Sequence, residues 1–291
     1  MDCSIHLLSG EALEGALRLS STAGWNQRLE DWRMLVGLAP AASFAAVDGG
    51  RIVGTAIGID YQEFSWIAMM LVDPAYRGRG IGRRLLEAAM DAVPADRPIR
   101  LDATPMGRPL YASHGFRDEA RLTRHAADAD ERVSHSRHGR SRTVRPLTAD
   151  DFEETADCDV PVFRGARRCV LRWAFETAPQ YARIMRGADS LPQYCFGRRG
   201  RLFDQIGPVV AADADAACAL AAAALSAAAG RAVVIDAFDE RSEFADWLGA
   251  CGFHPQRPLF RMRRPPRTPA ARIDDSRPSL AEFAIFGPEF A

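Results

Sequence analysis

From Val72 to Leu86 the chain reads Val-Asp-Pro-Ala-Tyr-Arg-Gly-Arg-Gly-Ile-Gly-Arg-Arg-Leu-Leu. Gly78, Gly80 and Gly82 alternate with Arg79 and Ile81, and Arg77 and Arg83 flank them. Glycine lets backbone amides come close to a ligand, and arginine adds a permanent charge with forked donors. The elements that must position these residues are legible on both sides. Trp66 to Val72 is apolar and reads as a strand, ended by Asp73-Pro74 because proline removes a donor from any ladder. Beyond the glycines, Ile81, Leu85 and Ala89 fall at helical spacing, as do Leu86, Met90 and Val93. A strand, a glycine-rich turn and a helix in this order leave amides free at a helix N-terminus, which suits a pyrophosphate or similar polyanion. An exposed arginine cluster over an ordinary turn is the alternative.

Two familiar phosphate sites are excluded. A dinucleotide fingerprint needs glycine at its first, third and sixth positions, and counting from Gly78 or Gly80 puts Arg83 or Leu85 at the sixth. A P-loop needs a lysine, and every Lys+Arg cation of this chain is an arginine. What fits is Arg77-x-x-Gly80-x-Gly82, with Val72-Asp73-Pro74, Tyr76-Arg77 and Leu85-Leu86 around it. This resembles the acyl-CoA signature of the GNAT superfamily of N-acetyltransferases. The resemblance implies acetyl-CoA as cofactor. Its binding residues would be Met70, Leu71 and Val72 on the strand, with Arg77, Gly78, Arg79, Gly80, Ile81, Gly82 and Arg83 in the loop and first turn. A GNAT domain supplies its oxyanion donor from the backbone of that strand. Tyr111-x-x-x-Gly115-Phe116 matches a further family spacing, and Tyr111 stands where the family often has its general acid; a tyrosine packed in the core with its hydroxyl on backbone is the alternative.

The bulk numbers set limits. At 291 residues and 47% hydrophobic content, two globular domains are expected. A formal charge of −1 gives no support to a nucleic-acid or anionic-membrane partner. The start of the chain has no cationic and apolar signal pattern. The most apolar run, Ala211 to Ala229, is interrupted by Asp213 and Asp215 and reads as a packed helix. The six cysteines form no close pair and no zinc spacing, so a reducing cytoplasm is the expected compartment and no metal is expected. Cys169, Cys218 and Cys251 lie among apolar neighbours and read as small core residues.

In chain order, a first strand at Ile5–Leu8 and helices at Glu11–Leu19 and Asp31–Val36 precede a hairpin of Ser43–Val47 and Arg51–Ile59 across Asp48-Gly49-Gly50. Trp32 reads as a core aromatic. By analogy with the family, the break between the two helices places Trp25 and Asn26 in the acceptor pocket, with Trp66 as another wall; Trp25 also fits a core position. After the helix come a strand at Ile99–Ala103 and a short helix at Arg108–Ser113. Asp128–Arg142 is polar and includes His135 and His138. It reads as an exposed linker rather than a metal site.

The plan then restarts. Thr143–Leu147 reads as a strand and Thr148-Ala149-Asp150-Asp151 as a helix start. Val233-Val234-Ile235-Asp236-Ala237 leading to Gly252-Phe253 echoes Ile99-Arg100-Leu101-Asp102-Ala103 leading to Gly115-Phe116. The expected fold is α/β (α+β): two tandem GNAT-like domains, each a mixed, mostly antiparallel sheet flanked by helices. The expected boundaries are 1–126 for a cofactor-binding domain, 127–142 for a linker, 143–265 for a divergent domain and 266–291 for a tail. In the second half Ala212-Asp213-Ala214-Asp215 stands where the glycine loop would be, and its carboxylates repel a pyrophosphate, so one cofactor per chain is expected.

The implied activity is acetyl transfer from acetyl-CoA to an amine of a small molecule, by direct attack in a ternary complex. The alternative is a CoA-binding regulatory or interaction protein without turnover. Asp31, Glu63 and Asp102 are candidate bases, though each also fits a cap, turn or structural carboxylate, and a water relay needs no dedicated residue. The chain is expected to be a monomer or homodimer, without nucleic-acid or membrane partners.

Overall fold

The computed structural model describes residues 3–129, 143–186, 191–228, 230–268 and 280–291. His135, His138 and most of the expected linker lie outside the described residues. The chain forms two compact units whose sequences interleave. Unit 1 comprises residues 1–117, 262–272 and 290, and unit 2 comprises 118–261, 273–289 and 291.

Unit 1 opens with β1 (Ser4–Leu7), α1 (Leu13–Thr22) and α2 (Leu29–Leu38). Three antiparallel strands follow, β2 (Ser43–Asp48), β3 (Arg51–Asp60) and β4 (Ser65–Val72). Then come α3 (Ile81–Ala92), β5 (Ile99–Ala103) and α4 (Arg108–Ser113). The strands lie in the order β1-β2-β3-β4-β5, with β5 parallel to β4.

Helix α3 packs on β3 at very short range. A Cβ at Gly54 would lie 2.8 Å from Leu85 Cδ1, and one at Gly58 would lie 2.7 Å from Val93 Cγ1 and 2.9 Å from the Ala89 carbonyl. The two glycines, four apart on one face of the strand, set how near the helix comes. From the other side Trp32 is fully buried and donates its indole N–H to Ser20 Oγ at 3.2 Å.

In unit 2 the strand beginning at Arg117, β6 (Arg117–Ala127), is followed among the described residues by β7 (Arg145–Pro146), α5 (Ala149–Phe163) and α6 (Arg168–Thr177). Next are β8 (Arg183–Arg186), β9 (Pro192–Arg198), β10 (Asp204–Ala211), α7 (Ala214–Leu225), β11 (Val233–Phe238) and α8 (Ser242–Ala250). β12 (His254–Arg264) and β13 (Ala281–Ile285) complete the chain. The residues of β12 from Met262 onward belong to unit 1. Strand order in unit 2 is β12-β6-β11-β13-β10-β9-β8-β7.

Thr148 and Asp151 form a reciprocal cap at the start of α5: the Asp151 carboxylate accepts the Thr148 N–H at 2.9 Å and two donors of Arg145 at 2.6 Å. A buried ion pair crosses from β6 to β11, with Arg124 donating to both Asp236 oxygens at 2.7 Å and Gln205 Nε2 adding a bond of 2.8 Å. Cys218 and Cys251 are core residues as expected, but Cys169 is exposed, because α6 turns its apolar face through Val170, Leu171 and Ala174 instead.

Candidate functional site

Strand β4 is paired with β5 only at its beginning, Ser65 opposite Ile99 and Trp66 opposite Arg100. From Ile67 onward the edge of β4 that faced β5 lies beyond the paired register. On its other edge the register against β3 slips by one residue: Thr55 lies opposite Leu71, but Ile57 lies opposite Ala68. Met69 takes up the slip with φ of 52°, a left-handed conformation that a non-glycine residue seldom adopts. The hydroxyl of buried Thr55 donates to the Met69 carbonyl at 2.7 Å and fixes the bulge. Met70, Leu71 and Val72 follow it directly, so the strand residues expected at the cofactor lie where β4 is bulged on one edge and past its partner on the other.

Asp73 closes the strand. One of its oxygens accepts the Ala75 N–H at 3.0 Å and the other accepts Arg51 at 2.7 Å. The loop to Gly80 then turns through two left-handed glycines, Gly78 at φ of 78° and Gly80 at 75°. Nothing lies within 4 Å of a Cβ built on either, so the loop surface above them is open. Gly80 is the N-cap of α3; no side chain caps it and no acidic residue stands in the first turn. The first amides of α3 therefore face outward at the positive end of the helix. Arg77, Arg79 and Arg83 surround them. Arg77 donates to the Val72 carbonyl at 3.3 Å, Arg79 lies over the Tyr76 ring at 4.9 Å, and Arg83 pairs with Glu87 at 2.8 Å. This donor set suits a pyrophosphate in its chemistry.

Helix α4 borders the loop. A Cβ on Gly82 would lie 3.8 Å from Leu110 Cδ2, and Arg77 Nη1 lies 3.6 Å from Met106 Sδ just before α4. Tyr111, on the same helix, is buried and edge-on to Phe116 at 6.0 Å. Burial pushes its phenol pKa up, with no charged group opposing, so it keeps its proton throughout the neutral range.

The remaining expected residues divide. Trp25 is half-buried and Asn26 buried in the break between α1 and α2, where Gly24 supplies the left-handed turn. Trp66 is fully buried and edge-on to Phe64 at 6.3 Å. This corrects the expectation that Trp66 lines the acceptor pocket: a side chain with no accessible surface supports a wall from behind. Asp31 is 1% exposed and accepts the Arg28 N–H at 2.6 Å, which makes it the cap of α2 rather than a base. Glu63 is exposed in the β3–β4 turn, and Asp102 is half-buried on β5. Thr55 was not singled out from the sequence, because a threonine inside a strand carries no signal that it holds a bulge.

Unit 2 repeats this frame with changes at each point. Asp204 and Gln205 of β10 pair in parallel with Val233 and Val234 of β11, the same two rungs as in β4 and β5. That register places Asp236 at the position of Asp102, as the sequence repeat implies. The connection from strand to helix is two residues, Ala212 and Asp213, where unit 1 has the eight from Asp73 to Gly80. Asp213 accepts the Ala216 N–H at 2.9 Å, so a carboxylate already occupies the start of α7.

Residues 40–118 match the family model of an acetyltransferase (GNAT) domain, and residues 156–274 match another model of the same description. The chain belongs to the GNAT superfamily. It is an N-acetyltransferase with two GNAT domains in tandem. A relative in Bacillus subtilis (strain 168), "Uncharacterized N-acetyltransferase YitH", is 26% identical over 250 residues, covering 85% of this GNAT chain and 86% of its own length. A putative acetyltransferase from Pyrococcus horikoshii shares the fold at TM-score 0.75 and 20% identity, over 99% of this chain and 95% of that one. A tandem GNAT protein from the clavulanic acid biosynthesis pathway does so at TM-score 0.63 and 16% identity, over 93% and 100%. Among the described residues of this GNAT protein, no helix is long and apolar enough to cross a membrane, and no group of three or more His, Cys, Asp or Glu could hold a metal ion.

Proposed function

We propose that unit 1 transfers an acetyl group from acetyl-CoA to an amine of a small molecule, by direct attack while both are bound. The observation that carries this reading is the uncapped start of α3, with Arg77, Arg79 and Arg83 about it, directly beyond a strand whose register with β5 ends at Trp66. The amides of Ile81, Gly82 and Arg83, with Arg77 and Arg79, hold the phosphates. Acetyl-CoA supplies the activated acyl group. In the attack, negative charge grows on the carbonyl oxygen, and preorganised backbone donors stabilise it. The bulge at Met69 aims such donors from Met70 and Val72, whose amides alternate along the strand with that of Leu71, which faces β3 as the Asp73 N–H does. As the C–N bond forms and the C–S bond breaks, Tyr111 gives its phenol proton to the departing sulfur, and the proton released by the attacking nitrogen returns to the phenol through water. Burial makes the phenol a weaker acid, so it gives up the proton only as negative charge develops on the sulfur. Trp25 and Asn26, between α1 and α2, receive the acceptor. The capped N-terminus of α7 and the shortened connection before it support one cofactor per chain, in unit 1.

The test is thiol release from acetyl-CoA with a panel of aminoglycosides, amino acids and peptides, for the wild type and Tyr111→Phe. The expected result is turnover with at least one class. The variant should lose roughly 100-fold or more in kcat with little change in CoA affinity. Tight CoA binding with no thiol release for any amine would overturn the transfer reading in favour of a CoA-binding protein without turnover. Unchanged kcat in Tyr111→Phe would remove the phenol from the mechanism.

A further inference from the structure

The divergence of β10 and β11 in unit 2 is not left open. After the two parallel rungs at Asp204–Val233 and Gln205–Val234, β13 runs between the two strands and is antiparallel to both. Ala284 pairs with Val209 on one side and Ala237 on the other, and Ile285 pairs with Asp236. In unit 1 the corresponding strands, β4 and β5, also pair in parallel over two rungs and then part, ahead of Met70, Leu71 and Val72.

We propose that the divergence between β10 and β11 is a peptide-binding cleft, and that residues Leu280–Phe286 of this chain are its ligand. The cleft adds a strand at both of its edges, so main-chain hydrogen bonds hold the ligand and side chains select it. Phe283 is 5% exposed and edge-on to Phe244 at 5.8 Å, with the Arg241 guanidinium over its ring at 5.1 Å. Phe286 is fully buried and edge-on to Trp173 at 6.2 Å. Arg167 supplies a polar anchor. It is itself buried, pairs with both oxygens of Asp159, and donates to Glu282 at 2.9 Å and to the Ala291 carbonyl at 3.0 Å.

The cleft wall is shaped for a backbone. A Cβ on Gly207 of β10 would lie 1.9 Å from the Ile285 carbonyl oxygen, so only glycine admits the inserted strand at this point. Counting three residues on from the first parallel rung gives Gly207 in β10 and Ala68 in β4. The strand of unit 1 thus carries a methyl where that of unit 2 carries none. Gly207-Pro208 and the apolar, acidic pattern of Leu280–Phe286 are matched features separated by more than seventy residues of sequence.

The test needs no cofactor or activity, so its failure is distinguishable from failure of the acetyl-transfer reading. A protease site is placed within residues 269–279 of the full chain, and the folded protein is cut. The fragment beginning near Leu280 should stay with the cut chain through gel filtration. A fluorescent peptide of residues 280–291 should displace it under mild denaturant, and a scrambled peptide should not. Glu282→Ala in the peptide should weaken binding roughly 10- to 100-fold through loss of the Arg167 contact. Loss of the fragment on cutting with no rebinding, or equal binding of the scrambled peptide, overturns the proposal. Should the cut chain precipitate, hydrogen exchange on the intact chain decides. Amides of residues 281–285 should be protected as strongly as those of β10 and β11, and Gly207→Ala should abolish that protection. Rapid exchange of 281–285 in the wild type overturns the proposal.

Discussion

Gly80→Ala, Gly80→Asn and Gly80→Asp together separate backbone strain, bulk and charge at the start of α3. Gly80 stands at φ of 75° and ψ of 1°, and a Cβ there meets nothing within 4 Å. Alanine therefore brings no clash, only the left-handed penalty of about 1–2 kcal/mol. Asparagine and aspartate tolerate this left-handed conformation better than alanine does. All three variants should fold. Their cofactor affinities should diverge. A carboxylate about 4 Å from a phosphate charge costs about 1 kcal/mol at the dielectric of water and about 4 kcal/mol at an effective dielectric of about 20. Relative to Gly80→Asn, Gly80→Asp should bind CoA roughly 5-fold to several hundred-fold more weakly. The gap should narrow between about 0.1 M and about 1 M salt, as the screening length falls from about 10 Å to about 3 Å. Calorimetric titration of CoA into each variant at both salt concentrations, beside denaturant unfolding, measures every quantity. Equal affinity of the Asn and Asp variants at low salt would refute the electrostatic reasoning. Wild-type affinity in Gly80→Asp would refute the phosphate site itself.

Thr55→Val removes the hydroxyl that holds the Met69 carbonyl, and should cost about 1–3 kcal/mol in denaturant unfolding; if the bulge aims the oxyanion donors, kcat should also fall roughly 10-fold or more with CoA affinity kept. Gly58→Ala should destabilise by about 1–3 kcal/mol, because its Cβ meets the Ala89 carbonyl at 2.9 Å. Gly54→Ala should cost less, since its nearest neighbour is the movable end of Leu85. Asp236→Asn leaves Arg124 buried without its counter-charge and should cost about 3–5 kcal/mol. Burial alone would raise the Asp236 carboxyl, but Arg124, with Gln205, outweighs it and holds the group below the ordinary carboxylate range. Its folded value thus lies below the unfolded value of about 3.9, so its stabilisation is present above about pH 4 and is lost as pH falls through the folded value. Wild-type stability should decline on acidification in that window, and Asp236→Asn should flatten the decline. CoA titration of Asp213→Ala should still saturate at one per chain; a second equivalent would contradict the reading of unit 2.

What was legible in the sequence was local. The Arg77 to Arg83 loop, the hairpin at Asp48-Gly49-Gly50 and the cap at Thr148 and Asp151 are each specified by a few adjacent residues, and the fold realises each in place. The echo of Asp102 in Asp236 was also legible, and the two parallel registers place these aspartates on equivalent rungs. What escaped was set by distant partners. The left-handed turn of Met69 has no residue signature, because a methionine there is held by Thr55 across the strand. Trp66 reads as a pocket wall until the packing behind it buries it completely. β12 contains Pro255 and Pro258, which argue against a strand when read locally, and β13 is too short to announce itself without the cleft that receives it. Arg117–Ala127 follow the first domain's elements in sequence, yet from Asp118 onward they belong to unit 2, where Leu122–Ala127 pair with β11.

The glycines under α3 have a kinetic consequence. With backbone and side-chain atoms of α3 and its C-cap within 3 Å of where Cβ atoms at Gly54 and Gly58 would lie, α3 rests directly on the β3 backbone with no side chain between them, and any shift of the helix would break that close packing. The amides at its start are therefore set in place when the sheet forms, and their arrangement does not wait for a ligand. Capture of an anion there needs no prior rearrangement of the helix. Stopped-flow traces of CoA binding should show a single phase whose rate rises linearly with ligand concentration and falls with salt, as steered diffusion to a preformed target requires. A saturating rate, independent of salt, would mean that the cradle assembles only after the cofactor arrives.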